Sequence, residues 1–258
     1  MSRNPLRFLL LSFYLLIHTS MSKQHTTRPI TTGTSVVGLV YDGGVLLAAD
    51  TLLSYGSMAK SFNTPRMVSI DERILLGASG EYSDFQEVVQ KVKALALEQK
   101  TQSMESLYED RPLSAKSLWN YLRAVMYQKR SKFNPFWNDV VVAGYENGSS
   151  FLGVVDKLGT TLQENCVATG FGAYLAMPLL REQYRPDLSE GEARALLEDC
   201  MKVLFYRDCR ASARIQLAKV TADGCIISEP YELDQSTGWN APSMIRPVGD
   251  LDGDGGWQ

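Results

Sequence analysis

Histidine is almost absent from this sequence. The only two, His18 and His25, lie near the start of the 258 residues. A chain with no imidazole beyond that point lacks the usual base of Ser-His-Asp and Cys-His hydrolases and a common ligand of zinc. We therefore expect no metal site and no cofactor, and any hydrolytic chemistry would need another base.

A surplus of positive charge is also missing. The sequence has 26 Lys and Arg against 29 Asp and Glu, a net charge of −3. We therefore expect no nucleic acid as a partner. The composition is 45% hydrophobic and 21% charged, which is typical of a globular protein, and the length suits one large domain.

Closely paired cysteines do not occur. Cys166, Cys200, Cys209 and Cys225 form no C-x-x-C pair, which argues against a zinc knuckle and a thioredoxin-type redox motif. We predict reduced, mostly buried thiols. Two disulfides remain an alternative if the protein is secreted.

The N-terminal residues allow two interpretations. An apolar run, Leu6 to Ile17, follows two arginines in the order of a secretory signal and is too short to span a bilayer. Met21 is a second possible start, which would make residues 1–20 a mis-assigned extension. Asn147-Gly148-Ser149 would accept a glycan in a secreted protein, but Asn-Gly between apolar runs favours a hairpin turn.

Apolar periodicity predicts four β-hairpins and four helices. The hairpins pair residues 34–41 with 45–50, 66–70 with 73–78, 139–145 with 150–156, and 215–221 with 225–227. The helices cover residues 83–99, 114–132, 172–184 and 189–207. This order of strands and paired helices predicts an α+β fold with antiparallel sheets.

The residues from about 234 onward are polar and rich in Gly, Pro and Asp, a composition that does not fold alone. Trp239, Met244 and Ile245 are apolar residues within this tail. We predict that they bind a partner chain.

Without histidine, a hydroxyl can be activated by lysine or by a free α-amine, whose pKa of about 8 leaves part of it neutral. Thr34 follows Gly33, whose lack of a Cβ favours self-cleavage before Thr34. Asp50, at the end of the second strand, could return beside Thr34. The residues alone fit either an N-terminal nucleophile or a strand cap and a strand-end acid.

Four stretches carry recognisable motifs in a fixed order: GTSVVGLVYDGGVLLAAD (33–50), LLGASGEYSDF (75–85), ATGFGAYLA (168–176) and FYRDCRASARIQ (205–216). Together they resemble the β-subunits of the proteasome. Three further stretches make the chain most similar to a non-catalytic β-subunit of this family: SYGS (54–57), RSKFNPFWN (130–138) and GWNAPSMI (238–245).

The resemblance covers about Thr32 to Glu229. It implies the N-terminal-nucleophile hydrolase fold, a four-layer αββα sandwich of two antiparallel sheets flanked by helices. It also implies three segments: an N-terminal extension or propeptide (1–33), the β-type domain (34–233), and a C-terminal extension that contacts neighbouring subunits (234–258).

The resemblance also identifies residues of an active site. Thr34 matches the nucleophile, Asp50 its acid, Gly80 the oxyanion-hole glycine and Asp208 the acid that supports the terminal amine. Thr169 replaces a supporting serine, a mild change.

Three residues depart from the catalytic pattern. Arg66 stands where catalytic members carry a lysine, and a guanidinium gives up its proton far less readily. Ala211 replaces a serine hydroxyl, and we expect the Tyr82 ring to crowd the mouth of the specificity pocket. These departures predict a vestigial site.

The resemblance therefore implies a non-catalytic structural subunit of the 20S proteasome core that takes part in β-ring assembly and in ubiquitin- and ATP-dependent degradation by the complex. Expected partners are β-subunits of the same and the opposite ring and α-ring subunits, with no membrane, in the cytoplasm and nucleus. Two alternatives remain: an active threonine peptidase cut before Thr34, and a secreted or membrane-associated amidase, which only the apolar N-terminus supports.

Overall fold

The computed structural model describes residue 29, residues 31–105 and residues 113–234. Within these residues the strands are β1 (Thr31–Gly33), β2 (Val36–Tyr41), β3 (Gly44–Asp50), β4 (Leu53–Tyr55), β5 (Met58–Ser61), β6 (Met67–Asp71), β7 (Ile74–Glu81), β8 (Asn138–Glu146), β9 (Ser149–Val155), β10 (Thr161–Gln163), β11 (Cys166–Ala168), β12 (Arg214–Thr221), β13 (Gly224–Ile227) and β14 (Tyr231–Glu232). The helices are α1 (Tyr82–Glu105), α2 (Ala115–Ser131), α3 (Gly172–Leu175), α4 (Met177–Gln183) and α5 (Glu190–Arg207).

The strands form two antiparallel sheets. The first has the order β10-β9-β8-β7-β1-β4-β5, with β6 also paired to β7. The second has the order β11-β2-β3-β12-β13, with β14 also paired to β12. In the described part of the chain, the three-residue strand β1 is the only strand that links the β4–β5 pair to the rest of the first sheet.

Alternating side chains on the central strands build three apolar layers. In β3, Leu47 points between the two sheets, whereas Leu46 packs under α4 and α5. In β7, Leu75 points between the sheets and Leu76 packs under α1 and α2. Because side chains alternate along a strand, both faces of each sheet are buried. The predicted four-layer αββα fold is confirmed.

The four predicted hairpins are present. Asn147 and Gly148 both have positive φ, 51° and 75°, as a two-residue turn between strands requires. The predicted helix caps are also present: Ser114 accepts from Ser117 N at 2.9 Å, and Ser189 forms a capping box with Glu192.

The structure corrects the prediction of one helix over 172–184. The chain instead forms α3 and α4, separated at Ala176. Pro178 lies in the first turn of α4, where its missing N–H is tolerated, but its ring disfavours a helix that continues from the preceding turn.

The short strands β1, β4, β5, β10, β11 and β14 were not predicted. Each has two to four residues, too few to show an alternating pattern. Their place is set by pairing with longer strands, as when β11 pairs with β2.

Some expectations fall outside the described residues. These are the signal-like segment 6–17, the possible start at Met21, and the tail residues Trp239, Met244 and Ile245. Among the helices that the structure describes, none is both long and apolar enough to cross a membrane.

All four cysteines are free thiols, as predicted, but their burial is uneven. Cys200 is buried, Cys166 and Cys225 are half-buried, and Cys209 is exposed. Burial raises the pKa of Cys166 and of Cys225 to about 11, and the pKa of Cys200 to about 12.

We predict that iodoacetamide at pH 8 alkylates Cys209 first. A thiol with a pKa of about 11 is only about 0.1% thiolate at that pH, and the thiolate is the reactive form. Between pH 8 and 10, the thiolate fractions of Cys166 and Cys225 should rise about tenfold per unit. Peptide mass spectrometry against time measures each site, and equal rates at pH 8 for Cys209 and Cys200 would contradict the prediction.

Candidate functional site

The candidate site lies where the chain crosses from the first sheet to the second. Thr34 and Ser35 join β1 to β2, and β2 pairs with β3 so that Val36 lies opposite Ala49. Asp50, the next residue of β3, therefore lies beside Thr34. The Thr34 hydroxyl donates to Asp50 Oδ1 at 2.8 Å, which confirms that these two residues meet.

Arg66 fills the space beneath this crossing and is 2% exposed. Its Nη1 donates to Thr34 O at 2.6 Å, its Nη2 to Ser35 O at 3.2 Å, and its Nε to Asp50 O at 3.0 Å. Nη2 also forms an ion pair with Asp50 Oδ1 and lies 3.4 Å from Thr34 Oγ1. One planar guanidinium thus binds the Thr34–Ser35 link and the end of β3 at the same time, a geometry that a lysine cannot reproduce.

The charge of Arg66 decides what the Thr34 hydroxyl can do. Burial lowers the pKa of Arg66 from 12.5 to about 9, and the Asp208 carboxylate opposes that shift. The pKa is thus lower than the sequence suggests, yet only about 3% of such a group is neutral at pH 7.4. Arg66 therefore remains a cation and is a poor proton acceptor for Thr34.

Both carboxylate oxygens of Asp50 also accept hydrogen bonds from groups of the fold. Its Oδ2 accepts from Ser212 N at 3.0 Å, while its Oδ1 binds Arg66 and the Thr34 hydroxyl. An arginine in contact stabilises the ionised carboxylate and so weakens it as a base. Sequence analysis missed Ser212 because a backbone amide donor leaves no mark in a residue pattern.

The loop after α5 brings Asp208 to the site without joining it to Thr34. Asp208 is buried, and its Oδ1 accepts from Arg210 N at 3.0 Å. Its Oδ2 is buried without a hydrogen-bond partner among the described residues. The Ala211 amide donates to the Asp208 carbonyl at 3.0 Å, and its methyl side chain offers no hydroxyl to the site.

Thr169 supports the crossing at Val36 instead of binding Thr34. Its hydroxyl accepts from Val36 N at 2.9 Å and lies 3.4 Å from Val36 O. The Ser35 hydroxyl accepts from Gly172 N at 2.8 Å. These bonds tie the chain around α3 to the start of β2.

A cavity of about 260 Å³ opens beside Thr34. Gly80 lies in its wall at a φ of +97°, a conformation that favours glycine. Charged residues that sequence analysis did not identify also line it, because the end of β7, the start of β8, the turn after β9 and the loop after α5 bring them together from distant parts of the chain: Glu81, Asp139, Lys157 and Arg210.

The position of Tyr82 is set by α1. This residue begins the helix, and its ring packs against the apolar layer between α1, α2 and the first sheet, 6.2 Å from the Phe85 ring. It is not among the residues that line the cavity beside Thr34. That its ring crowds the mouth of a specificity pocket stays a prediction, because a side chain that fills a pocket does not line an open one.

Residues upstream of Thr34 occupy a groove in the first sheet. Gly33 pairs with Gly80 of β7, while Thr32 pairs with both Glu81 of β7 and Ser54 of β4. An extended peptide that adds to two strands in this way covers the backbone groups through which another peptide would bind.

Gly33 has a packing role as well. A Cβ at this position would lie 2.5 Å from Arg66 Cδ, closer than atoms of these types approach. The structure therefore accounts for this glycine through the buried arginine, whereas sequence analysis associated it with self-cleavage. In the uncut chain, the nitrogen of Thr34 is an amide and offers no free amine as a base.

The described residues contain no group of three or more His, Cys, Asp or Glu side chains arranged to hold a metal ion.

Comparison with known proteins gives consistent results. A family model described as "Proteasome subunit" matches residues 30–220. "Proteasome subunit beta type-4" of Xenopus laevis is 45% identical over 224 residues, 86% of this chain and 90% of that protein. The protein of the same name from Arabidopsis thaliana is 43% identical, over 87% of this chain and 89% of its own length. "Proteasome subunit beta type-7" of Saccharomyces cerevisiae is 40% identical, over 87% and 86%.

We predict that Arg66→Leu lowers the free energy of unfolding by about 3–5 kcal/mol, because it leaves the buried Asp50 carboxylate without its counter-charge. Arg66→Lys should lower the free energy of unfolding by a smaller amount, since an ammonium group keeps the positive charge but not the planar set of donors of the guanidinium. Urea unfolding followed by tryptophan fluorescence measures both variants. The matched control is Arg210→Leu, at the exposed rim of the same cavity, which should change stability by less than about 0.5 kcal/mol. Equal losses for Arg66→Leu and Arg210→Leu would contradict this prediction.

Proposed function

Because this chain belongs to the proteasome subunit family, we propose that it is a non-catalytic β-subunit of the 20S core particle. In this role it completes the wall of an inner ring and contributes to degradation through the complex. Its similarity to subunits named beta type-4 over more than four fifths of its length supports this assignment.

One observation carries the proposed lack of activity: a buried arginine that remains protonated at neutral pH lies next to Thr34, at the position where the resemblance places a lysine in catalytic subunits. Threonine attack requires that the hydroxyl proton move to a base as the new bond forms. Arg66 is protonated at neutral pH, and Asp50 is held as its counter-ion. Neither side chain is suited to accept the proton.

The strand before Thr34 supports the same conclusion. While residues 31–33 remain joined to Thr34, they occupy the groove between β7 and β4. A substrate peptide would have to displace three residues of paired backbone. We propose that the uncut segment of this subunit completes the first sheet and does not give way to substrate.

The proposed partners are β-subunits of the same ring and of the opposite ring, together with α-ring subunits, and the proposed location is the cytoplasm and nucleus. The C-terminal residues 234–258 are proposed to reach a neighbouring subunit. Their starting point is fixed, because Leu233 is buried against the α5 layer and donates its amide to Ala213 O at 2.9 Å.

We predict that a peptide epoxyketone leaves Thr34 unmodified in purified particles. The probe needs both a free α-amine and an activated hydroxyl, and this site is proposed to lack both. Intact-mass measurement of the subunit should show residues upstream of Thr34 and no adduct. Labelling of catalytic subunits in the same sample is the positive control, and an adduct on Thr34 would establish the alternative, an active threonine peptidase.

We also predict that deletion of residues 239–258 causes half-barrels to accumulate. The deletion removes the apolar anchors Trp239, Met244 and Ile245 but keeps Leu233 in place. A full-length tail with these three residues changed to Ser is the matched variant and should behave like the deletion, since burial of the anchors stabilises the contact. Native gels with mass spectrometry of the bands measure assembly, and normal double-ring particles in both variants would refute the role of the tail.

A further inference from the structure

The end of α2 presents an aromatic side chain in an unfavourable backbone conformation. Phe133 has a φ of +53° and is 83% exposed. Among the described residues, Asn147 is the only other non-glycine residue with positive φ, and it belongs to a hairpin turn. A bulky side chain at positive φ is rare, and this one gains little burial from the described residues.

The hydrogen bonds around Phe133 form a Schellman motif. The Phe133 amide donates to Arg130 O at 3.1 Å, and the Asn134 amide donates to Lys129 O at 3.1 Å. In this motif the residue at positive φ is usually glycine, because glycine has no Cβ to oppose the conformation. Capping of α2 therefore accounts for the backbone conformation but not for a phenyl ring at this position.

A basic groove lies next to this residue, between α1 and α2. We define it by the residues that line its volume of about 570 Å³: Lys91, Tyr121, Val125, Gln128, Lys129, Lys132 and Asn134. It contains three lysines and no carboxylate.

Two of the groove lysines have no carboxylate within ion-pair distance among the described residues. Lys91 pairs with Glu87 at 2.8 Å. Lys129 instead lies 4.5 Å from the centre of the Phe136 ring, and Lys132 caps the end of α2. The lining of the groove therefore carries net positive charge on a protein whose net charge is −3, although Lys129 also interacts electrostatically with the nearby carboxylates Asp84 and Glu87.

We propose that Phe133 and the basic groove form a docking surface for an acidic surface of a neighbouring subunit, which would receive the Phe133 ring in an apolar pocket beside its carboxylates. This proposal rests on the proposed function, in which the chain is part of a larger particle. An aromatic anchor flanked by charges is typical of protein interfaces. The unpaired lysines specify an acidic partner, because like charges across an interface oppose binding.

The strained conformation of Phe133 allows a test with opposite expected effects. Phe133→Gly removes the ring and places the preferred residue at the helix cap, so the free chain should unfold at an equal or higher temperature. The same variant should enter particles less well. Lys129→Glu with Lys132→Glu should also reduce incorporation, because it reverses the charge of the groove.

The experiment expresses each tagged variant together with the untagged wild-type chain. Particles are purified through a different subunit, and mass spectrometry gives the ratio of variant to wild type. We expect at least a fivefold loss for Phe133→Gly and about a tenfold loss for the double charge reversal. Lys116→Glu, an exposed change in the first turn of the same helix, is the matched control and should match wild type.

Three outcomes would overturn the docking surface. The first is incorporation of the variants at the wild-type level. The second is a loss of both thermal stability and incorporation in Phe133→Gly, which would indicate a folding role. The third concerns carbodiimide cross-linking of wild-type particles. It is a result in which Lys129 and Lys132 cross-link to no carboxylate, or exclusively to Asp250, Asp252 or Asp254 of this chain. Cross-links to Asp or Glu of a neighbouring subunit support the proposal. Absence of the wild-type chain from particles would instead refute the proposed function itself.

Discussion

The ion pair between Arg66 and Asp50 holds together the part of the fold on which the candidate site depends. Both groups are buried, and the guanidinium also binds the carbonyls of Thr34 and Ser35, where the chain crosses between the sheets. A buried ion pair recovers its desolvation cost only when further hydrogen bonds satisfy both partners. Here the Ser212 amide and the Thr34 hydroxyl supply those bonds to Asp50.

The same contacts that stabilise the crossing oppose catalysis. A nucleophile needs a neighbour that gains and loses a proton near neutral pH. In this chain the neighbour is a cation that remains charged, and the acid is its fixed counter-ion. The strand before Thr34 adds to this effect, because it joins β7 to β4 in the described sheet. In the proposed non-catalytic subunit, these polar groups hold the two sheets and the N-terminal segment together.

If the residues around Thr34 have only a structural role, the residues that serve the function of this chain should lie on its surface. Phe133 fits this view: its backbone is unfavourable and its ring is exposed, so neither local structure nor the core accounts for it. The basic groove beside it is lined by three lysines and by no carboxylate of the described chain. These surface features and the proposed role of the tail share one physical basis, which is that a ring subunit completes part of its packing only against other subunits.

Sequence alone determined the hairpins, the long helices and the class of the fold, because those elements follow from side-chain periodicity and from turn residues such as Asn147 and Gly148. It also identified Thr34, Asp50 and Arg66 as neighbours through resemblance to a family. The break between α3 and α4 follows from Pro178, a local signal that the periodicity argument missed. Only the tertiary structure decided the packing of the Tyr82 ring and the pairing of β1 with two strands. Those features depend on contacts between residues far apart in the chain, and such contacts leave no periodic signal in the sequence. The contact of Gly33 with Arg66 is of the same kind, since the reason for that glycine lies 33 residues away.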